Sequence, residues 1–115
     1  MKANRPSYPL TAAMLQVLLA LADGDKHGYA ILKEVARRSD GDVVLRTGTL
    51  YTVLKRFVDD GLVAETDERP DPALDDERRR YYRLTSRGRA IAVAETDRLA
   101  ETVRQARAKL SLRRV

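Results

Sequence analysis

Residues 46–57 read RTGTLYTVLKRF, a run in which Thr47, Thr49, Tyr51 and Thr52 carry hydroxyls and Lys55 and Arg56 carry cations. Such groups donate hydrogen bonds to anionic oxygens, and on one helix they make a surface suited to the phosphates and base edges of a nucleic acid. Helical spacing separates them from their neighbours. Leu50, Val53, Leu54, Phe57 and Val58 recur at i, i+3, i+4, i+7 and i+8, the stripe by which a helix packs on a body. Tyr51, about 100° around the axis from Leu50, falls with Thr52, Lys55 and Arg56 on the flank the stripe leaves outside. Gly48 opens the first turn, where backbone N–H groups can also meet phosphate. The plainer alternative is an aromatic lying over a helix–helix joint beside a solvated basic face.

Catalytic chemistry has few residues to work with. The 115-residue chain has no cysteine and one histidine, His27, which excludes disulfides, thiol nucleophiles, thiolate zinc sites and histidine clusters. No group of acids gathers on a plausible cleft, so neither an enzyme nor a cofactor or metal site is expected. The formal charge of +5, from 22 Lys+Arg against 17 Asp+Glu, draws the chain toward polyanions. The length fits one domain with one modest core. No apolar run reaches a membrane span, the N-terminal MKANRPSYPL lacks the apolar stretch of a signal peptide, and a soluble, cytoplasmic protein is expected.

The elements that must position the basic flank follow from pattern. Thr11 caps a first helix, AAMLQVLLALA, ended by Asp23 and Gly24. Met14, Leu15, Val17, Leu18, Leu19 and Leu21 occupy nearly every side of it, so part of their cover is expected from a second subunit. A second helix, about 26–39, sets Ile31, Leu32, Val35 and Ala36 against Lys33, Glu34, Arg37 and Arg38, with Gly28 permitting close approach of another backbone. Val43, Val44 and Leu45 read as one short strand. The third helix carries the opening stretch and ends at Gly61. Residues 62–66 and 80–84 read as two strands, with Tyr82 and Leu84 on one face and Tyr81 and Arg83 on the other. Between them lies DERPDPALDDERR, charged and proline-bearing, read as a mobile hairpin tip. Thr85 or Ser86 caps a last helix, about 87–110, in which Ile91, Leu99, Val103, Ala106 and Leu110 mark a seam, the last four at steps of 4, 3 and 4. At about 1.5 Å per residue that helix outruns so small a body, and a second copy of the chain is its natural partner.

Helix, helix, short strand, helix, hairpin and long helix make a winged helix-turn-helix: mainly α, with a small β-hairpin and a C-terminal dimerisation helix. Its third helix would enter the major groove and its wing would lie near the backbone. The expected organisation is a flexible arm at 1–10, the winged domain at 11–85 with its wing at about 62–85 and mobile tip at 67–78, the dimerisation helix at 86–110 and a frayed tail at 111–115. Lys26 and Lys33 are further candidate phosphate contacts, as are Arg78, Arg79 and Arg80 at the base of the tip. His27 is expected to be structural at a helix start, Tyr29 a packed aromatic, and Tyr82, Leu84, Thr85 and Gly88 two core positions, a cap and a tight approach.

Three segments then carry a family resemblance. HGYAILKEV (27–35), GTLYTVLKRFVDDGLV (48–63) and RRYYRLTSRGR (79–89) resemble the signature segments of the PadR family of bacterial transcriptional regulators, in order and at the right distances. The single helix after Leu84 is similar to the family's shorter form. The resemblance implies a homodimer on a palindromic operator in double-stranded DNA, usually repressing, with residues 47–60 reading the groove. It also implies that the last helix packs on the first and last helices of its mate, a surface to which Met14, Leu15, Leu18, Ile91, Leu99, Val103, Ala106 and Leu110 would contribute. The chain departs from the pattern at Thr52, where many members carry proline. It also has no tryptophan, whereas the multidrug-sensing members sandwich flat ligands between paired tryptophans. No residue names an effector; the expected place for one is the cavity between the last helix and the body, lined by the first helix. The acidic residues Asp71, Asp75, Asp76 and Glu77 favour an alternative, a winged-helix module that docks proteins and binds little DNA.

Overall fold

A computed structural model describes residues 8–66 and 80–110 of the chain. The elements run α1 (Ala12–Ala20), β1 (Lys26–His27), α2 (Gly28–Arg38), α3 (Thr47–Asp59), β2 (Val63–Thr66), β3 (Tyr81–Leu84) and α4 (Ser86–Lys109). The strands form one antiparallel sheet in the order β1-β3-β2, with His27 opposite Tyr81 and Val63 opposite Leu84. This is a mainly helical winged fold, as the element order predicts.

Caps fix the helix starts. The Thr11 hydroxyl accepts from the Met14 N–H at 3.1 Å, and the Thr85 side chain accepts from Gly88 N–H at 2.9 Å; each satisfies a donor that the first turn would leave unpaired. His27 does the same for α2 through Nδ1, which accepts from Ala30 N–H at 3.2 Å. Its ring also meets Tyr81 edge-on, with centroids 5.3 Å apart. Gly61, past the end of α3, sits at φ +78°, the left-handed turn that glycine adopts without penalty.

One core joins these elements. Val17, Leu18, Ile31, Leu50, Phe57 and Ile91 are fully or almost fully buried, and burying each large side chain contributes about 1.5–3 kcal/mol. Leu50, Val53, Leu54 and Phe57 are the buried residues of α3, and Val58, the fifth member of the expected stripe, is partly buried against the same core. Tyr8 and Leu10, expected in a flexible arm, pack against the same core. From Val93 onward, by contrast, no residue of α4 is buried.

The short strands depart from expectation in two places. Val43, Val44 and Leu45 form no strand; the Val43 N–H is taken by the Ser39 hydroxyl at 2.9 Å, and the run bends into α3. The third strand is instead Lys26–His27, which pairs with β3 on the edge away from β2. Tyr81, on the face opposite Tyr82 and Leu84, is nonetheless 6% exposed, with the His27 ring edge-on against it.

Candidate nucleic-acid interface

On α3 the core stripe leaves Gly48, Thr52 and Lys55 stacked on the opposite side at i, i+4 and i+7, with Tyr51 and Arg56 on the two flanks. Thr47, Gly48, Thr49, Thr52, Lys55 and Arg56 are all exposed. Nothing lies within 4 Å of the place a Gly48 Cβ would occupy, and the N-cap residue Arg46 makes no side-chain cap bond. The first turn of α3 therefore presents backbone N–H groups on an open surface. The Thr52 hydroxyl donates to the Gly48 carbonyl at 3.0 Å, which leaves its lone pairs outward. Lys55 lies 3.3 Å from Asp59 Oδ2 with its side chain 78% exposed, a pairing weak enough for a phosphate to replace.

The flanks are held from outside the helix. Arg56 lies over the Tyr8 ring, 5.4 Å from its centroid, in cation–π range. Tyr51 is 44% exposed, yet its hydroxyl end rests over Gly28, where a Cβ would come within 2.3 Å of it. The phenol thus spans both sequence readings: it covers the joint between α2 and α3 and keeps an edge in solvent. The close approach at Gly28 is to a side chain, not to another backbone.

The remaining candidates divide. Lys26 is engaged: its ammonium donates to the Ala20 carbonyl and to Asp23 Oδ1, both at 2.6 Å. That bond holds the Asp23 carboxyl below its usual range, so Lys26 ties down the loop between α1 and β1. Lys33 is exposed over the Tyr29 ring, 5.3 Å from its centroid. Arg80 pairs with Glu65 at 2.8 Å across the two wing strands and stays 70% exposed, whereas Arg78 and Arg79 lie outside the described residues. Arg83 chelates Asp25, fastening the wing to the loop before β1.

Tyr29 corrects the expectation of a packed aromatic, since it is 60% exposed. On α2 it falls one turn before Lys33 on the side away from Ile31 and Val35, so the spacing that placed Tyr51 outside would have placed Tyr29 there too. Tyr8 and Arg46 are further missed neighbours of the site; Arg46 immediately precedes α3, and Tyr8 carries no periodic signal.

Of the eight residues assigned to a subunit contact, Met14, Leu18 and Ile91 are enclosed in the chain's own core and have little surface left to offer. Leu99, Val103 and Leu110 are exposed, while Ala106 and Leu15 are half-buried. A pocket of about 170 Å³ lies between α1 and α4, lined by Leu18, Leu19, Ala22, Ala92, Val93 and the polar rim of Arg89, Thr96 and Asp97, among others. Among the described residues, no helix is long and apolar enough to cross a membrane.

Comparison with known proteins agrees with this layout. The sequence model of the transcriptional regulator PadR-like family matches residues 17–93. A PadR family transcription regulator of hypervirulent Clostridium difficile superposes with a TM-score of 0.71 at 23% identity, over 87% of this chain and 99% of that one. Bacillus subtilis PadR, in complex with operator DNA, superposes with a TM-score of 0.61 at 19% identity, over 75% of this chain and 48% of that one. At these identities the likeness is one of fold. An uncharacterized protein of Lysinibacillus sphaericus is 28% identical over 74 residues, 64% of this chain and 65% of that protein's length.

Proposed function

Because the chain belongs to the transcriptional regulator PadR-like family, we propose that it is a homodimeric, sequence-specific DNA-binding regulator, acting as a repressor in the cytoplasm. The family is one of transcription regulators, not enzymes. In this reading α3 enters the major groove, and Gly48, Thr52 and Lys55 face the bases and backbone. Tyr51, Arg56, Lys33 and Arg80 reach phosphates on either side. The observation that carries it is the outward line of α3, where a backbone-bare turn, a hydroxyl and a 78%-exposed ammonium stand together on a helix otherwise anchored in the core. The exposed part of α4 supplies the contact between subunits. The pocket between α1 and α4 is the seat for a small-molecule effector.

Fluorescence anisotropy on the DNA upstream of the chain's own coding region tests the reading. Tight binding is expected, weakening with salt at a slope of roughly −0.9 per phosphate neutralised. Lys55→Ala should weaken binding at all sequences and reduce that slope by about 1. Affinity no greater than for random duplex, across fragments selected from genomic DNA, would sink it. The alternative of a protein-docking winged module rested on the acidic wing tip, which lies outside the described residues. A copurifying protein together with absent DNA retardation is the result that would revive it.

A further inference from the structure

We propose that Gly28 is a positioning residue for Tyr51: the missing side chain at 28 is the seat on which the phenol rests, and it sets where the hydroxyl points on DNA. The proposal rests on the reading of α3 as the groove-facing helix. Gly28 is the first residue of α2 and is buried, and it is not among the glycines with positive φ, so its backbone does not demand glycine. Alanine is the better helix former. What a side chain would meet first is one residue. A Cβ at 28 would stand 2.3 Å from the Tyr51 hydroxyl oxygen, 2.8 Å from Cζ and 3.4 Å from Cε1, so its three nearest neighbours are all atoms of one phenol.

That obstruction differs in kind from the one at Gly88, where a Cβ would stand 2.0 Å from the Leu62 backbone carbonyl oxygen. A backbone cannot step aside; the far end of a tyrosine can. The seat itself is firm, because the preceding His27 caps α2 and is held against Tyr81. A methyl at 28 therefore moves the phenol and not the helix. Tyr51, already 44% exposed, swings away from α2 and its hydroxyl leaves the position from which it meets phosphate.

Gly28→Ala, Tyr51→Ala and the double variant are compared for operator affinity and melting temperature. The ring ¹H–¹³C signals of Tyr51, assigned through Tyr51→Phe, are followed without DNA. Gly28→Ala should keep the wild-type melting temperature, shift the Tyr51 ring signals and lose about tenfold in affinity, the worth of one hydrogen bond to a charged group. In the Tyr51→Ala background the same substitution should cost nothing further. Unmoved ring signals, or an equal affinity loss with and without Tyr51, would overturn the seat. If Gly28→Ala alone unfolds the chain, the double variant should fold again; failure to do so also overturns it. A wild-type chain that binds no DNA overturns the reading of α3 and with it the hydroxyl's role, a failure distinct from unmoved ring signals.

Discussion

Arg56 keeps its outward pose on α3 by lying over the ring of Tyr8, and what Tyr8 contributes is its ring, not its hydroxyl. Among the described residues the phenolic oxygen is buried without a hydrogen-bond partner, as is Asp60 Oδ2. Burial and then the Asp60 charge raise the phenol's pKa, while Arg56 and Arg87 oppose them, so the group stays neutral and unsatisfied. Tyr8→Phe should therefore leave stability unchanged or raise it by up to about 1 kcal/mol, with DNA affinity kept. Tyr8→Ala, which strips the apolar cover and frees Arg56, should lower both. Thermal melts with anisotropy decide it, and a Tyr8→Phe loss above about 1 kcal/mol would mean that the hydroxyl has a partner. At this scale spacing was a good guide wherever a helix gave it a period. Tyr51 was placed outside by its angle from Leu50, and Tyr29 could have been placed by the same rule. Tyr8 could not, because Pro9 separates it from any periodic element and only the folded body decides where the ring lands.

Between elements, the start of α4 is bolted to what precedes it. The Thr85 hydroxyl donates to the Gly61 carbonyl at 2.6 Å, Arg87 Nε to the Asp60 carbonyl at 3.0 Å and Arg89 Nη2 to the Ala22 carbonyl at 2.8 Å. The long helix is thereby registered against the ends of α3 and α1, with Gly88 pressed on the Leu62 carbonyl. Gly88→Ala forces two backbones apart, and overpacking of that kind costs about 1–3 kcal/mol. A melting-temperature fall of roughly 10 °C is expected, against almost none for Gly28→Ala. A Gly88→Ala protein melting within about 2 °C of wild type would show that the two segments can separate freely. Thr11, Gly61 and Thr85 were legible as helix ends because capping is local chemistry written in one or two residues. The strand at Lys26–His27 was not, since two residues carry no alternation and only the open edge of β3 recruits them. Val43, Val44 and Leu45 misled for the converse reason: β-branched residues fit a sheet only where an edge is in reach, and Ser39 had already taken the Val43 N–H.

The described residues span 53 × 33 × 23 Å, an elongated shape because α4, 24 residues or about 36 Å long, extends beyond the body. Its free portion still carries Leu99, Val103 and Leu110, between 38% and 66% exposed. Leu99, Val103, Ala106 and Leu110 keep the 4, 3, 4 spacing of an interhelical contact. A row of large apolar side chains on a helix with no other cover among the described residues is the kind of surface that a second copy buries, and each Val or Leu so enclosed contributes about 1.5–3 kcal/mol, counted twice across a two-fold axis. The sequence-level seam had included Ile91, which the body uses for its own core; periodicity shows that a residue is apolar on a face, not which neighbour covers that face. Two copies would present two α3 helices to DNA, so loss of the pair should cost most of the affinity for a palindrome while leaving each winged body folded. Sedimentation should find wild type at twice the chain mass at micromolar concentration. Leu99→Asp with Val103→Asp buries two carboxylates per subunit on association, should weaken the dimer by at least about a hundredfold, and should shift the species to monomer with operator binding largely gone and the melting of the body little changed. A wild-type chain that sediments as a monomer, or a doubly substituted one that still pairs, would place the subunit contact elsewhere than on this face of α4.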